Sequence, residues 1–90
     1  MERTRIEKEV KEIVADQVGR YHEGIQADDI KEDSHIENDF GCDSLDLVEI
    51  CMEVEKEFNV SIADDEAERI RLVKDIVDLV EQKLRTGNHG

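Results

Sequence analysis

Apolar residues recur at intervals of three and four along three stretches of this chain, and that spacing commits most of it to helices. Ile6, Val10, Ile13, Val14 and Val18 form the first stripe. Leu47, Ile50, Cys51, Val54 and Phe58 form the second, and Val73, Ile76, Val77, Val80 and Leu84 the third. Charged residues fill the intervals, so each helix has one apolar side to bury. Charged residues make up 41% of the chain and proline is absent, a composition that by itself admits disorder. The regular stripes argue against it. Ninety residues allow one domain, with a small core and little room for a deep, enzyme-like pocket.

The ends of the helices are marked locally. Thr4 with Glu7 matches a capping box, and Gly19 is a plausible stop for the first helix. Asp43 is a good N-cap for a helix over Ser44–Phe58, with Asp46 adding a carboxylate to its first turn. Acidic residues open a short helix over Asp64–Ile70. Val73 to about Arg85 forms the last helix, with Leu72 a poor cap before it and Gly87 ending it. Between residues 19 and 43 no period is sustained, and a connection that long is usually functional or disordered. Ile25, Ile30, Ile36 and Phe40 are spaced through it as anchors, so an ordered loop is expected, with room for a short helical turn near residues 28 to 32. The sum is an all-α protein: a small four-helix bundle of three longer helices and one short one, with a long ordered loop between the first two. Residues 1–86 form this domain and residues 87–90 a loose tail.

With 25 Asp and Glu against 12 Lys and Arg, the net charge is −13. Nucleic acid and anionic membranes are poor partners for such a surface. A basic patch on another protein suits it, and so does mere solubility. Cys42 and Cys51 make neither a disulfide framework nor a CxxC site, and Cys51 lies in an apolar stripe. No signal peptide or apolar run of membrane-spanning length is evident, so a reducing, cytoplasmic setting is expected.

The Ser44–Phe58 helix carries more than a core stripe. At about 100° per residue, Leu45, Val48 and Met52 fall beside one another on a face adjoining Ser44, bordered by Glu49, Glu55 and Lys56. Asp46, Glu53 and Glu57 fall on the opposite polar side. Two readings stand open: a wider core, with the loop or the short helix covering this patch, or a docking face with an apolar centre and an acidic rim. The hydroxyl of Ser44 stands at the start of the helix, just after a glycine-containing turn. There the helix dipole and free N–H groups favour an attached phosphate, while Asp43 and Asp46 oppose that charge and favour a metal ion or a basic modifying enzyme.

The run Gly41-Cys42-Asp43-Ser44-Leu45-Asp46, followed by Leu47-Val48-Glu49-Ile50-Cys51-Met52-Glu53-Val54-Glu55-Lys56-Glu57-Phe58, resembles the acyl carrier proteins of fatty acid synthesis. The resemblance extends over about residues 4 to 85. It implies a 4′-phosphopantetheine arm on Ser44, installed from coenzyme A by a magnesium-dependent phosphopantetheinyl transferase. It also implies an acyl chain held as a thioester on the arm and sheltered between helices. Asp43 and Asp46 would aid recognition by the modifying enzyme. Leu45, Glu49, Met52 and Glu55 match positions that meet acyl-processing enzymes, which makes the patch with Val48 and Lys56 the docking face. A monomer with no catalysis and no metal site of its own is expected. Three residues depart from the family pattern: Cys42 where a small residue such as Ala is usual, Lys56 where an acid is common, and Ala63 in place of a frequent proline.

Other readings are weaker. No frame through residues 28 to 49 supplies an EF-hand's ligands. His22, His35 and His89 share no ligand spacing, no oxyanion loop accompanies a serine, and Tyr21 and Phe58 are expected to pack. The alternatives carried forward are a specialised carrier of another acyl or aminoacyl group, and an unmodified protein–protein adaptor with the carrier fold.

Overall fold

In the computed structural model, which describes residues 2–86, five α-helices follow one another: α1 (Arg3–Val18), α2 (Ile36–Phe40), α3 (Ser44–Phe58), α4 (Asp64–Glu68) and α5 (Val73–Thr86). A single 3-10 turn over Ala27–Asp29 lies in the connection between α1 and α2. The three long helices are those the apolar stripes predict. α1 packs on both α5 and α3, and α4 leans on α3. The stripes meet inside: Ile6, Val10, Val14, Val18, Ile50, Val54, Val73, Ile76, Val77 and Val80 are fully buried.

The long connection is ordered by its own apolar anchors. Ile30 and Ile36 are 1% and 2% exposed, and Phe40 is buried beside them. Full burial of an Ile side chain contributes about 2 kcal/mol, which offsets much of the entropy lost by ordering the loop. The turn near residues 28 to 32 forms slightly earlier, at Ala27–Asp29. One element was not expected. The single-turn helix α2 is capped by His35, whose Nδ1 accepts the N–H of Asn38, while Asp39 Oδ2 accepts the N–H of His35. Backbone hydrogen bonds then tie this loop to the approach of α5. Ile36 N–H donates to Arg71 O at 3.0 Å, and Val73 N–H donates to Ser34 O at 3.0 Å.

Helix boundaries shift where tertiary contacts outweigh local signals. α1 starts at Arg3, with Glu2 as its N-cap and no side-chain cap, so Thr4 lies inside the helix and the Thr4–Glu7 box does not form. The cause is Arg3, whose guanidinium meets Glu7, Glu32, Asp78 and Glu81 within 3.3 Å and draws the first turn back by two residues. α1 ends at Gly19, which stays right-handed. α4 stops at Glu68 rather than Ile70, because Ile70 leaves the helix to be buried. Leu72 has no cap to offer, and Asp75 serves instead: its Oδ2 accepts the N–H groups of Arg71 and Leu72, each at 2.9 Å. Gly87 and the expected tail lie outside the described residues. Among the described residues no helix is long and apolar enough to cross a membrane.

Candidate functional site

The turn between α2 and α3 sets the site. α2 ends on Gly41, in the left-handed region at φ 71°, and its N–H closes on Glu37 O at 2.8 Å. A residue with a Cβ is strained there. Cys42 then turns inward and is buried, which delivers Asp43 to the head of α3. Asp43 Oδ1 accepts the N–H of Asp46 at 3.0 Å, and Asp46 Oδ2 accepts the N–H of Asp43 at 3.1 Å. This reciprocal box leaves Ser44, the first residue of the helix, with nothing to cap. Ser44 is exposed, and its hydroxyl stands beside the positive end of a helix of 15 residues.

Asp46 corrects the helical-wheel reading. It is not on the open polar side but 4% exposed. Its Oδ1 accepts from Gln17 Nε2 at 2.9 Å and from the Tyr21 hydroxyl at 2.8 Å. Burial alone would raise its pKa; the hydrogen bonds from Gln17, from the Asp43 N–H and from Tyr21 outweigh that and hold it below the usual carboxylate value. The same contact, foremost, lifts the Tyr21 phenol above its usual range. Gln17, Tyr21 and Arg20, which pairs with Glu49 at 2.8 Å, are the residues that sequence reasoning missed. A signal was there: Gln17 falls on the α1 stripe seven residues after Val10, and Asp46 lies one turn before Ile50. A polar residue on each of two facing stripes points to a buried pair.

The second patch on α3 is open. Leu45, Val48 and Met52 are 65%, 49% and 56% exposed, so neither the loop nor α4 covers them, and the wider-core reading falls. Of the rim, Glu55 is partly committed, since its Oε2 accepts the N–H of Ile62 at 2.8 Å. Lys56 is exposed and lies 3.8 Å from Glu53. Beside Ser44 a groove of about 580 Å³ runs between α3, α2 and α4. Ile36, Leu47, Val48, Ala67 and Ile70 supply its apolar lining, and Asp43 and Arg71 are among its polar residues. Burial pushes the Cys42 thiol up to about 11, with Asp46 and Asp43 adding to it, so Cys42 is a shielded small residue rather than a reactive one. Ala63 also behaves differently from a proline: its N–H donates to Glu66 Oε1 at 2.9 Å, and the carboxylate of Glu66 reaches the buried Lys83 at 2.9 Å. No group of three or more His, Cys, Asp or Glu side chains among the described residues is placed to hold a metal ion.

Comparison with known proteins shows the family of the chain. The family model described as the phosphopantetheine attachment site matches residues 8–80. The chain belongs to the acyl carrier protein family. It is 39% identical over 82 residues to the acyl carrier protein of Porphyromonas gingivalis, covering 91% of this chain and 99% of that one. Against acyl carrier protein 2 of Pseudomonas aeruginosa it is 44% identical over 81 residues, covering 90% and 96%. The crystal structure of an acyl carrier protein from Thermotoga maritima superposes with a TM-score of 0.75 at 32% identity, covering 98% of this chain and 96% of that one. Members of this family are carriers rather than enzymes, and the matched domain is where 4′-phosphopantetheine is attached. The open serine at the head of α3 fits such a group: a phosphodiester on its oxygen would meet the helix's positive end and displace no internal hydrogen bond.

Proposed function

We infer that this carrier bears its 4′-phosphopantetheine arm on Ser44 Oγ and delivers acyl intermediates to the enzymes of fatty acid synthesis by docking α3 against their basic patches. The observation that carries the reading is the division of labour at the head of α3. Asp43 caps the helix, so the exposed Ser44 hydroxyl is free for attachment. When bound, the arm supplies a thiol that holds the acyl group as a thioester.

The protein's own residues do the rest. Asp43 offers its exposed carboxylate to the modifying transferase. Asp46, being buried, acts by holding the cap and the first turn in place. Leu45, Val48 and Met52 form a small apolar centre, and Glu49 and Glu55 a rim around it. Such a face gives fast, salt-sensitive encounters and modest affinity, which suits a carrier that must leave each enzyme quickly. The groove beside Ser44 gives an acyl chain an apolar refuge between visits. Two buried, unpaired cysteines suit a reducing compartment.

The test is intact-mass spectrometry after incubation with coenzyme A, magnesium and a broad-specificity phosphopantetheinyl transferase. We expect one arm per chain, mapped to Ser44, and none on Ser44→Ala, which keeps the parent's circular dichroism and a stability within about 0.5 kcal/mol of it, as for other exposed substitutions. An intact fold that takes up no arm from any transferase tried would favour an unmodified adaptor instead.

A further inference from the structure

The end of α1 brings a cation against the docking helix. Arg20 Nη1 lies 2.8 Å from Glu49 Oε2, and the two side chains are 62% and 36% exposed. The same oxygen accepts from Gln17 Nε2 at 3.0 Å. Gln17 is buried and also holds Asp46, so Glu49 is drawn towards α1 from a fixed point and is not a free rotor. Glu49 nevertheless borders the exposed Leu45, Val48 and Met52. In a chain of net charge −13, one carboxylate of the docking rim is thus already neutralised from within.

We propose that Arg20 is a specificity-determining residue that acts as an internal competitor, holding Glu49 until a basic side chain of the partner displaces it. The proposal rests on the carrier reading given above. On displacement the number of ion pairs is conserved: the partner's cation takes Glu49, and Arg20 turns to water. Partners that address the second turn of α3, the modifying transferase included, must carry out this exchange. An exposed pair is worth little, so the device biases weak complexes severalfold without blocking any. It favours enzymes that present an arginine opposite Glu49, because a guanidinium matches the carboxylate with two hydrogen bonds where a lysine has a point charge.

The experiment measures KM and kcat for arm transfer from coenzyme A by a broad-specificity transferase, with the 90-residue carrier as the varied substrate. Arg20→Gln should lower KM about two- to fivefold at unchanged kcat, the range set by an exposed ion pair. Glu49→Gln should raise KM, and in that background Arg20→Gln should have no further effect. Arg5→Gln makes the same change in net charge at the far end of α1, where Arg5 lies 3.9 Å from Glu9, and should leave KM alone. Melting midpoints check that every variant is folded. If Arg20→Gln leaves KM unchanged, or lowers it equally in the Glu49→Gln background or no more than Arg5→Gln does, the competitor is overturned while the carrier stands. If the parent chain takes up no arm at all, both fall together.

Discussion

Asp46 is the residue on which the site turns. Its folded pKa is depressed, so its contribution to stability is present above the ordinary carboxylate value and is lost as the pH falls through the lower folded value. Glu66, held down first by the Ala63 N–H and then by Lys83, adds to the same acid limb. We expect Asp46→Asn to cost about 2 kcal/mol at neutral pH, as for lost hydrogen bonds to a charged group. The variant's stability should also fall less steeply than the parent's below pH 4 or so. Urea titrations at several pH values check this; parallel acid limbs for the two proteins would remove Asp46 from the account. The residue also shows what was legible and what was not. Asp43 and Ser44 were readable because capping is settled within four residues. The burial of Asp46 depends on Gln17, 29 positions earlier, and shows only when the stripes of two helices are read against each other.

At the scale of elements, the same contrast recurs. The three long helices announce themselves because each repeats its apolar spacing for several turns. α2 spans 5 residues, too few to show a period, and its cap is a histidine, which few rules anticipate. Thr4 looked like a cap and is not, because carboxylates from three distant positions, with Glu7 of the same helix, outweigh one local hydrogen bond at Arg3. The join between α2 and α3 depends on Gly41, whose added Cβ would meet open space but whose backbone would be strained. Gly41→Ala should therefore destabilise by about 1 kcal/mol and lower the melting midpoint by about 4–8 °C in a domain of this size. Arm transfer to Ser44 should slow with it, since the turn aims the head of α3. Full stability and full transfer in Gly41→Ala would show that the turn has another conformation open to it.

The molecule as a whole carries 25 acidic against 12 basic residues, and that excess acts in two opposed ways. Within the fold, like charges repel, and salt relieves them. Between the carrier and a basic enzyme, opposite charges attract, and salt screens that too. Raising sodium chloride from about 0.05 to 0.5 M, which shortens the screening distance roughly threefold, should raise the carrier's melting midpoint while it raises KM for the transferase. Calorimetry and kinetics on one preparation decide the matter: a midpoint that falls with salt would show that pairs such as those of Arg3 outweigh the general repulsion.

The closed exchange between Asp43 and Asp46 has a last consequence. Helix ends are commonly held by the side chain that happens to stand there, and altering that side chain then loosens the end. Here the task is done next door. Chemistry on the Ser44 oxygen takes away no bond on which the fold depends, so an empty and a laden chain keep the same internal fastenings. If Ser44 carries the arm as proposed, an enzyme that has to tell one from the other would find no change of helix capping to read.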